Sequence, residues 1–124
     1  MGKSDLALRA LRSGWRLAAD DRVLVWTSGG RLFGRAPRTL HGLVEARGLG
    51  VVAGATIAHA EILLAVSCEG AEAEPERIPA PERRELFGLS VPLIRLQARE
   101  ASALDKLELA LAGAPFDSGA ERRI

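Results

Sequence analysis

The longest apolar stretch of the sequence, residues 62–68, is far short of the roughly 20 residues a helix needs to cross a bilayer. No part of the chain reads as a membrane span, so a core has to be assembled from short amphipathic pieces. The N-terminus lacks the apolar centre of a secretory signal, and the expected location is the cytoplasm. With 124 residues, 48% of them hydrophobic, the chain can bury about two thirds of its unfolded surface, and one domain over residues 1–124 is expected. Seventeen Lys+Arg against sixteen Asp+Glu leave a net charge of +1, so charge points to neither nucleic acid nor an anionic membrane as a partner. The single Cys68 can form no intrachain disulfide and reads as a buried core thiol.

The pieces can be placed by their periodicity and by the glycines and prolines between them. Residues 4–13, SDLALRALRS, carry Leu6, Leu8 and Leu11 among alanines, with Arg9 and Arg12 for the wet side. Ser4 as N-cap, Asp5 at the positive end of the dipole and Gly14 as C-terminal stop complete a helix. WRLAADDRVLVWT alternates on both sides of Asp20-Asp21 and predicts two short strands. Gly29-Gly30 then turns residues 22–35 into a hairpin that ends at Pro37. RTLHGLVEA, residues 38–46, has Leu40, Leu43 and Val44 at helical spacing and predicts a short helix, followed by a tight feature at Gly48 and Gly50. Further on, the pattern predicts a strand over 57–68, a charged loop over 69–85 and a strand over 86–96 broken at Pro92. A helix over 103–111 and a frayed tail over 113–124 complete it.

Three groups of residues can carry chemistry. Gly2-Lys3-Ser4 at a helix start is the closing part of a P-loop, in which backbone amides cradle phosphates, the Lys reaches the β/γ-phosphates and the Ser hydroxyl meets magnesium. Asp20-Asp21, one helix downstream, is either an acid pair near those phosphates or a turn made by local Asp hydrogen bonds. Glu45-Ala46-Arg47 before Gly48 is either a metal and phosphate clamp or a surface ion pair at a helix end. His41 and His59 have no partners at ligand spacing, Trp15 and Trp26 fall where strand residues pack, and Arg83-Arg84 reads as a solvated loop face.

In order, GKSDLALRAL, GWRLAADDRV and GRAPRTLHGLVEARGLGVV resemble the C-terminal catalytic domain of HPr kinase/phosphorylase, in its short proteobacterial form. VEARGLGVV is similar to that family's signature, and a looser likeness continues through FGLSVPLIRLQAREAS. The resemblance implies an α/β P-loop kinase-type core with a mixed sheet, flanked by two or three helices, its first strand missing because Met1 stands where the phosphate loop should continue. It implies an enzyme that phosphorylates a serine of HPr, the phosphocarrier of the phosphotransferase system, using ATP and Mg2+, and reverses the reaction with inorganic phosphate. Carried over by position, Gly2, Lys3 and Ser4 match the phosphate loop, with Ser4 on the metal. Asp20 matches the catalytic acid/base, Asp21 a support for site and metal, Glu45 a magnesium ligand and Arg47 the signature arginine near phosphates and subunit contacts. HPr or an HPr-like carrier is the implied partner, and a homo-oligomer the implied assembly. A shortened phosphate loop also fits a second reading, a non-catalytic nucleotide- or HPr-binding module.

Overall fold

Helix α1 (Lys3–Arg12) opens the computed structural model, which describes residues 2–70 and 76–113. Its start differs from the expected Ser4 cap. The Leu6 N–H donates to the Gly2 carbonyl at 3.0 Å, which makes Gly2 the cap and puts Ser4 in the first turn. Its end is as expected. Gly14 takes φ +97, the Trp15 N–H reaches the Ala10 carbonyl at 3.0 Å, and the Gly14 N–H reaches that of Leu11 at 3.2 Å, so the last turn closes as a Schellman motif.

Two compact units divide the chain, one formed within Met1–Leu6 and Leu63–Ile124 and the other over Ala7–Ile62. In the second unit, β1 (Leu24–Ser28) and β2 (Arg31–Arg35) form the expected hairpin. Gly29 and Gly30 both have positive φ, the type I′ turn whose twist suits such a pair. β5 (Ala60–Glu61) adds antiparallel to β2. The strand expected before Asp20 shrinks to one parallel bridge, Leu17 to Thr56. The helix expected over 38–46 is a correction: β3 (Leu43–Ala46) pairs antiparallel with β4 (Gly50–Ala53). His41 at φ +53 and Gly42 at φ +73 stop a helix before Leu43. From there burial alternates, with Val44 and Ala46 inside and Leu43 and Glu45 outside.

Leu32 is the most deeply buried large side chain, at 2% exposure, and Gly34, Ala36, Val44 and Ala46 are buried in the same unit. Gly54 packs where no side chain fits. A Cβ there would lie 2.6 Å from Val44 Cγ2, the tip of a β-branched side chain with one favoured rotamer. Gly54→Ala is expected to destabilise the protein by about 1–3 kcal/mol, read as a lower urea midpoint. An unchanged midpoint would mean that Val44 has room to turn away.

In the first unit, β6 (Ala65–Cys68), β7 (Glu82–Leu86) and β8 (Leu89–Leu96) form a mixed sheet in the order β6-β8-β7. β8 is parallel to β6 and antiparallel to β7. The single strand expected over 57–68 is thus two, β5 and β6. The charged loop expected to end at Glu85 instead becomes β7, an exposed strand whose Arg83 Nε donates to Ser90 Oγ at 2.8 Å. Residues 71–75 of that expected loop lie outside the described residues. Pro92 does not break β8, because pairing with β6 starts only at Leu93 and no ladder bond to β6 is lost. Helix α2 (Ala103–Leu111) has the expected bounds and buries Ala103, Leu107 and Ala110. The tail expected to fray lies, beyond Gly113, outside the described residues. Cys68 is a free thiol and only half-buried, so the fully buried core thiol is corrected. Among the described residues, no helix is long and apolar enough to cross a membrane.

The charged face of this sheet is held by ion pairs. Arg95 binds Glu82 at 2.9 Å and Glu69 at 3.2 Å across strands. The hydrogen bond from Arg95 holds the Glu82 carboxyl below its ordinary value, and the bond from Glu82 raises the Arg95 guanidinium. β7 can therefore be a strand with little apolar surface.

Candidate functional site

Gly2, Lys3 and Ser4, the residues matched by sequence to a phosphate loop, stand at the start of α1. Gly2 has φ +74, a conformation that any other residue takes with strain. A Cβ on it would meet Ala98 Cβ at 3.1 Å and Arg99 Cγ at 3.2 Å, so the positive φ favours glycine and the space beside it is tight. The first intrahelical bond is the one from Leu6 to Gly2, which leaves the amides of Lys3, Ser4 and Asp5 without helical partners. Their side chains are exposed. Amides without helical partners, the positive end of the helix dipole and the charge of Lys3 are features that suit an anion.

Asp20 and Asp21 lie in the other unit, in the bend that leads to β1, and both are exposed. The Asp21 N–H donates to Asp20 Oδ1. This local bond orients the Asp20 carboxylate and leaves its second oxygen free of any bond among the described residues.

Glu45 and Arg47 belong to the β3–β4 hairpin. Glu45 stands outward on β3 opposite Val51, and Arg47 begins the three-residue turn Arg47-Gly48-Leu49, in which Gly48 has φ +91. The helix end imagined for them does not exist, and among the described residues neither is ion-paired, so the surface ion pair is corrected too. Both side chains are exposed and available. In contrast, Arg31 in the same unit is held by both oxygens of Glu61, with Nε at 3.0 Å from Oε2, and this bond raises its basicity.

By donor type, the residues expected to hold a metal are of the kind magnesium takes. Ser4 supplies a hydroxyl, and Asp21 and Glu45 supply carboxylates, all hard oxygen ligands. Among the described residues no three His, Cys, Asp or Glu side chains gather into a ready-made metal cage. Magnesium rarely uses such a cage, since it keeps waters and takes phosphate oxygens from its nucleotide. Lys3, Gly2 and Ser4 fall in one unit, and Asp20, Asp21, Glu45 and Arg47 in the other.

Sequence reasoning missed a cleft of about 750 Å³ in the second unit, lined by Trp26, Arg35, Arg38, His41 and His59 among apolar residues. The available signal was RAPRTLH, which sets two arginines and a histidine three residues apart with no acid between them. Trp26 stacks on Phe33 as a cross-strand pair, with centroids 5.8 Å apart, and His59 tilts against its ring at 6.2 Å.

Comparison with known proteins bears out the family resemblance. Residues 1–112 match the family described as HPr Serine kinase C-terminal domain. An HPr kinase/phosphorylase of Pediococcus pentosaceus is 36% identical over 110 residues, covering 80% of this chain and 35% of that protein. One from Clostridium beijerinckii is 42% identical over 52 residues, covering 42% of this chain and 17% of that protein. The chain thus spans at most about a third of the length of these relatives. In fold, it is similar to the solved Hpr(Ser) kinase/phosphatase of Coxiella burnetii, with a TM-score of 0.72 and 24% identity over 87% of this chain and 77% of that one.

Proposed function

Because the chain belongs to the HPr serine kinase C-terminal domain family, we propose that it takes part in ATP- and Mg2+-dependent transfer of a phosphoryl group to a serine of HPr or an HPr-like carrier, and in the reverse reaction with inorganic phosphate. Such a reaction belongs to regulation of the phosphotransferase system. The observation that carries the proposal is the helix start, where Gly2 holds a positive φ in tight space and the Lys3, Ser4 and Asp5 amides have no helical partners. We read both units as parts of one domain.

In this reading Lys3 and the α1 amides hold the β- and γ-phosphates. Arg47 offsets charge on the moving phosphoryl group and lies near subunit contacts in a homo-oligomer. Asp20 takes the proton from the attacking serine hydroxyl as its oxygen bonds to the γ-phosphorus, and returns it in the reverse direction. Ser4, Glu45 and Asp21 would hold the magnesium, which supplies charge neutralisation on the phosphate oxygens. Phosphoryl transfer calls for positioning and electrostatics more than for covalent help, and this set provides both.

A ligand that binds only the folded state must raise the unfolding midpoint. Magnesium ATP at about 100 times its Kd is expected to add about 2.7 kcal/mol of stability, and Lys3→Ala is expected to abolish most of that gain. HPr binding without any ATP-induced rise would favour the non-catalytic module. A rise that survives Lys3→Ala would remove the helix start from the proposal.

A further inference from the structure

We propose that the cleft beside Trp26 is a second ligand site, built for a small organic oxyanion: a phosphate ester or carboxylate carried on an apolar body. None of the residues assigned above to nucleotide, metal or proton transfer lines it.

The charge pattern is the first reason. Arg35, Arg38, His41 and His59 all line the cleft, and no Asp or Glu does. Among the described residues the other strand arginines with nearby acids are satisfied, Arg31 by Glu61 and Arg95 by Glu69 and Glu82. Arg35 and Arg38 have no such partner among the described residues; the Arg35 Nη1 donates only to the neighbouring Ala36 carbonyl at 3.2 Å. Two arginines without counter-charges on one concave wall focus positive potential into it, and their planar forks match a carboxylate or phosphate.

The second reason is the rest of the wall. Trp26, Leu24, Leu40 and Ile57 give an apolar lining, and Leu24 and Ile57 are 44% and 38% exposed. A free inorganic anion would leave that surface wet, whereas an anion with an apolar body covers it. The volume, about 750 Å³, is that of an ordinary small-molecule site.

The third reason is local backbone. His41 is one of two non-glycine residues with positive φ among the described residues, at +53. The segment is pinned there by the Gly42 N–H to Thr56 Oγ1 at 2.9 Å and by the Gly54 N–H to the Gly42 carbonyl at 2.9 Å. Two bonds from the segment 54–56 to Gly42 fix the backbone next to His41, and a non-glycine residue held at positive φ on a cleft wall recurs at ligand sites.

The test is a residue-resolved NMR titration of the full chain with phenyl phosphate, with inorganic phosphate and benzyl alcohol as the anion-only and apolar-only probes. Phenyl phosphate is expected to shift the Trp26 indole N–H and the Thr39 and Ile57 amides saturably, more tightly than either partial probe. Arg35→Gln with Arg38→Gln is expected to weaken binding about tenfold or more, as loss of charge-assisted bonds does. Replacing both by Lys, which keeps charge without the fork, is expected to recover part of that loss, and this variant also guards against a folding defect. Lys3→Ala is expected to leave these shifts unchanged, so that the outcome is separate from the fate of the α1 phosphate site. Shifts confined to residues 3–6, equal binding of benzyl alcohol, or undiminished binding to the Gln variant would each overturn the proposal.

Discussion

Asp20→Asn is expected to lower HPr phosphorylation by about 10²–10⁴-fold, the usual contribution of a positioned general base, while leaving the unfolding midpoint and ATP affinity close to those of the parent chain. The substitution separates chemistry from structure because of how Asp20 is bonded. Its Oδ1 accepts the Asp21 N–H, and an asparagine keeps that oxygen and that turn. What it loses is the basicity of the second oxygen, which no other described group occupies. The reverse reaction should fall by a similar factor, since the same group returns the proton. A variant that phosphorylates HPr within tenfold of the parent would exclude Asp20 as the base. Asp21→Asn then becomes the informative comparison, because Asp21 is assigned to the metal and its loss should be eased by more magnesium.

The largest effect on stability is expected at Leu32. It lies on β2, the middle strand of β1-β2-β5, and is 2% exposed. Its backbone carbonyl also accepts the Ile62 N–H at 2.8 Å, next to the β2–β5 pairing. Leu32→Ala removes buried methyl groups and leaves a cavity in their place. The expected loss is about 2–5 kcal/mol, a large part of the stability of any small domain. Chemical denaturation would check it. A loss below about 1 kcal/mol would mean that the surrounding unit is loosely packed.

How much of this was legible in the sequence depended on whether the deciding interaction was local. α1, α2 and the β1–β2 hairpin are read correctly because their signals lie within the element: Gly14 at φ +97, the leucine spacing of 103–111, the Gly29-Gly30 pair. β3 was hidden because Leu40, Leu43 and Val44 fit a helical period by coincidence. Pairing with β4 and the turn at His41-Gly42 decide its state, and neither is a property of those residues alone. β7 was hidden for the opposite reason. ERRE has no apolar pattern, and it becomes a strand because Arg95 and Ser90 on β8 satisfy its charges. The candidate site was legible as an ordered set of motifs, since Gly2-Lys3-Ser4, Asp20 and Glu45-Ala46-Arg47 can each be found by type and spacing. The exposure of Glu45 and Arg47 on a hairpin was not, because it follows from the misread strand. The Trp26 cleft draws its arginines and histidines from segments on either side of β3 and β4, so its charge balance exists only after folding.

The mixed sheet also sets an order of assembly. The β7–β8 hairpin closes through the two-residue turn at Phe87-Gly88, a short loop that costs little entropy. β6 can dock on β8 only afterwards, in parallel and across the whole intervening segment, so its contacts have high sequence separation. Within this sheet the β6–β8 rung is also the weaker one, because it runs over four parallel residue pairs against five antiparallel pairs between β7 and β8. In hydrogen exchange, the amides joining Ala65–Cys68 to β8 should open by local fluctuation ahead of those between β7 and β8. Pairing of β6 on β8 is therefore expected to follow closure of the β7–β8 hairpin, which supplies the edge it docks on.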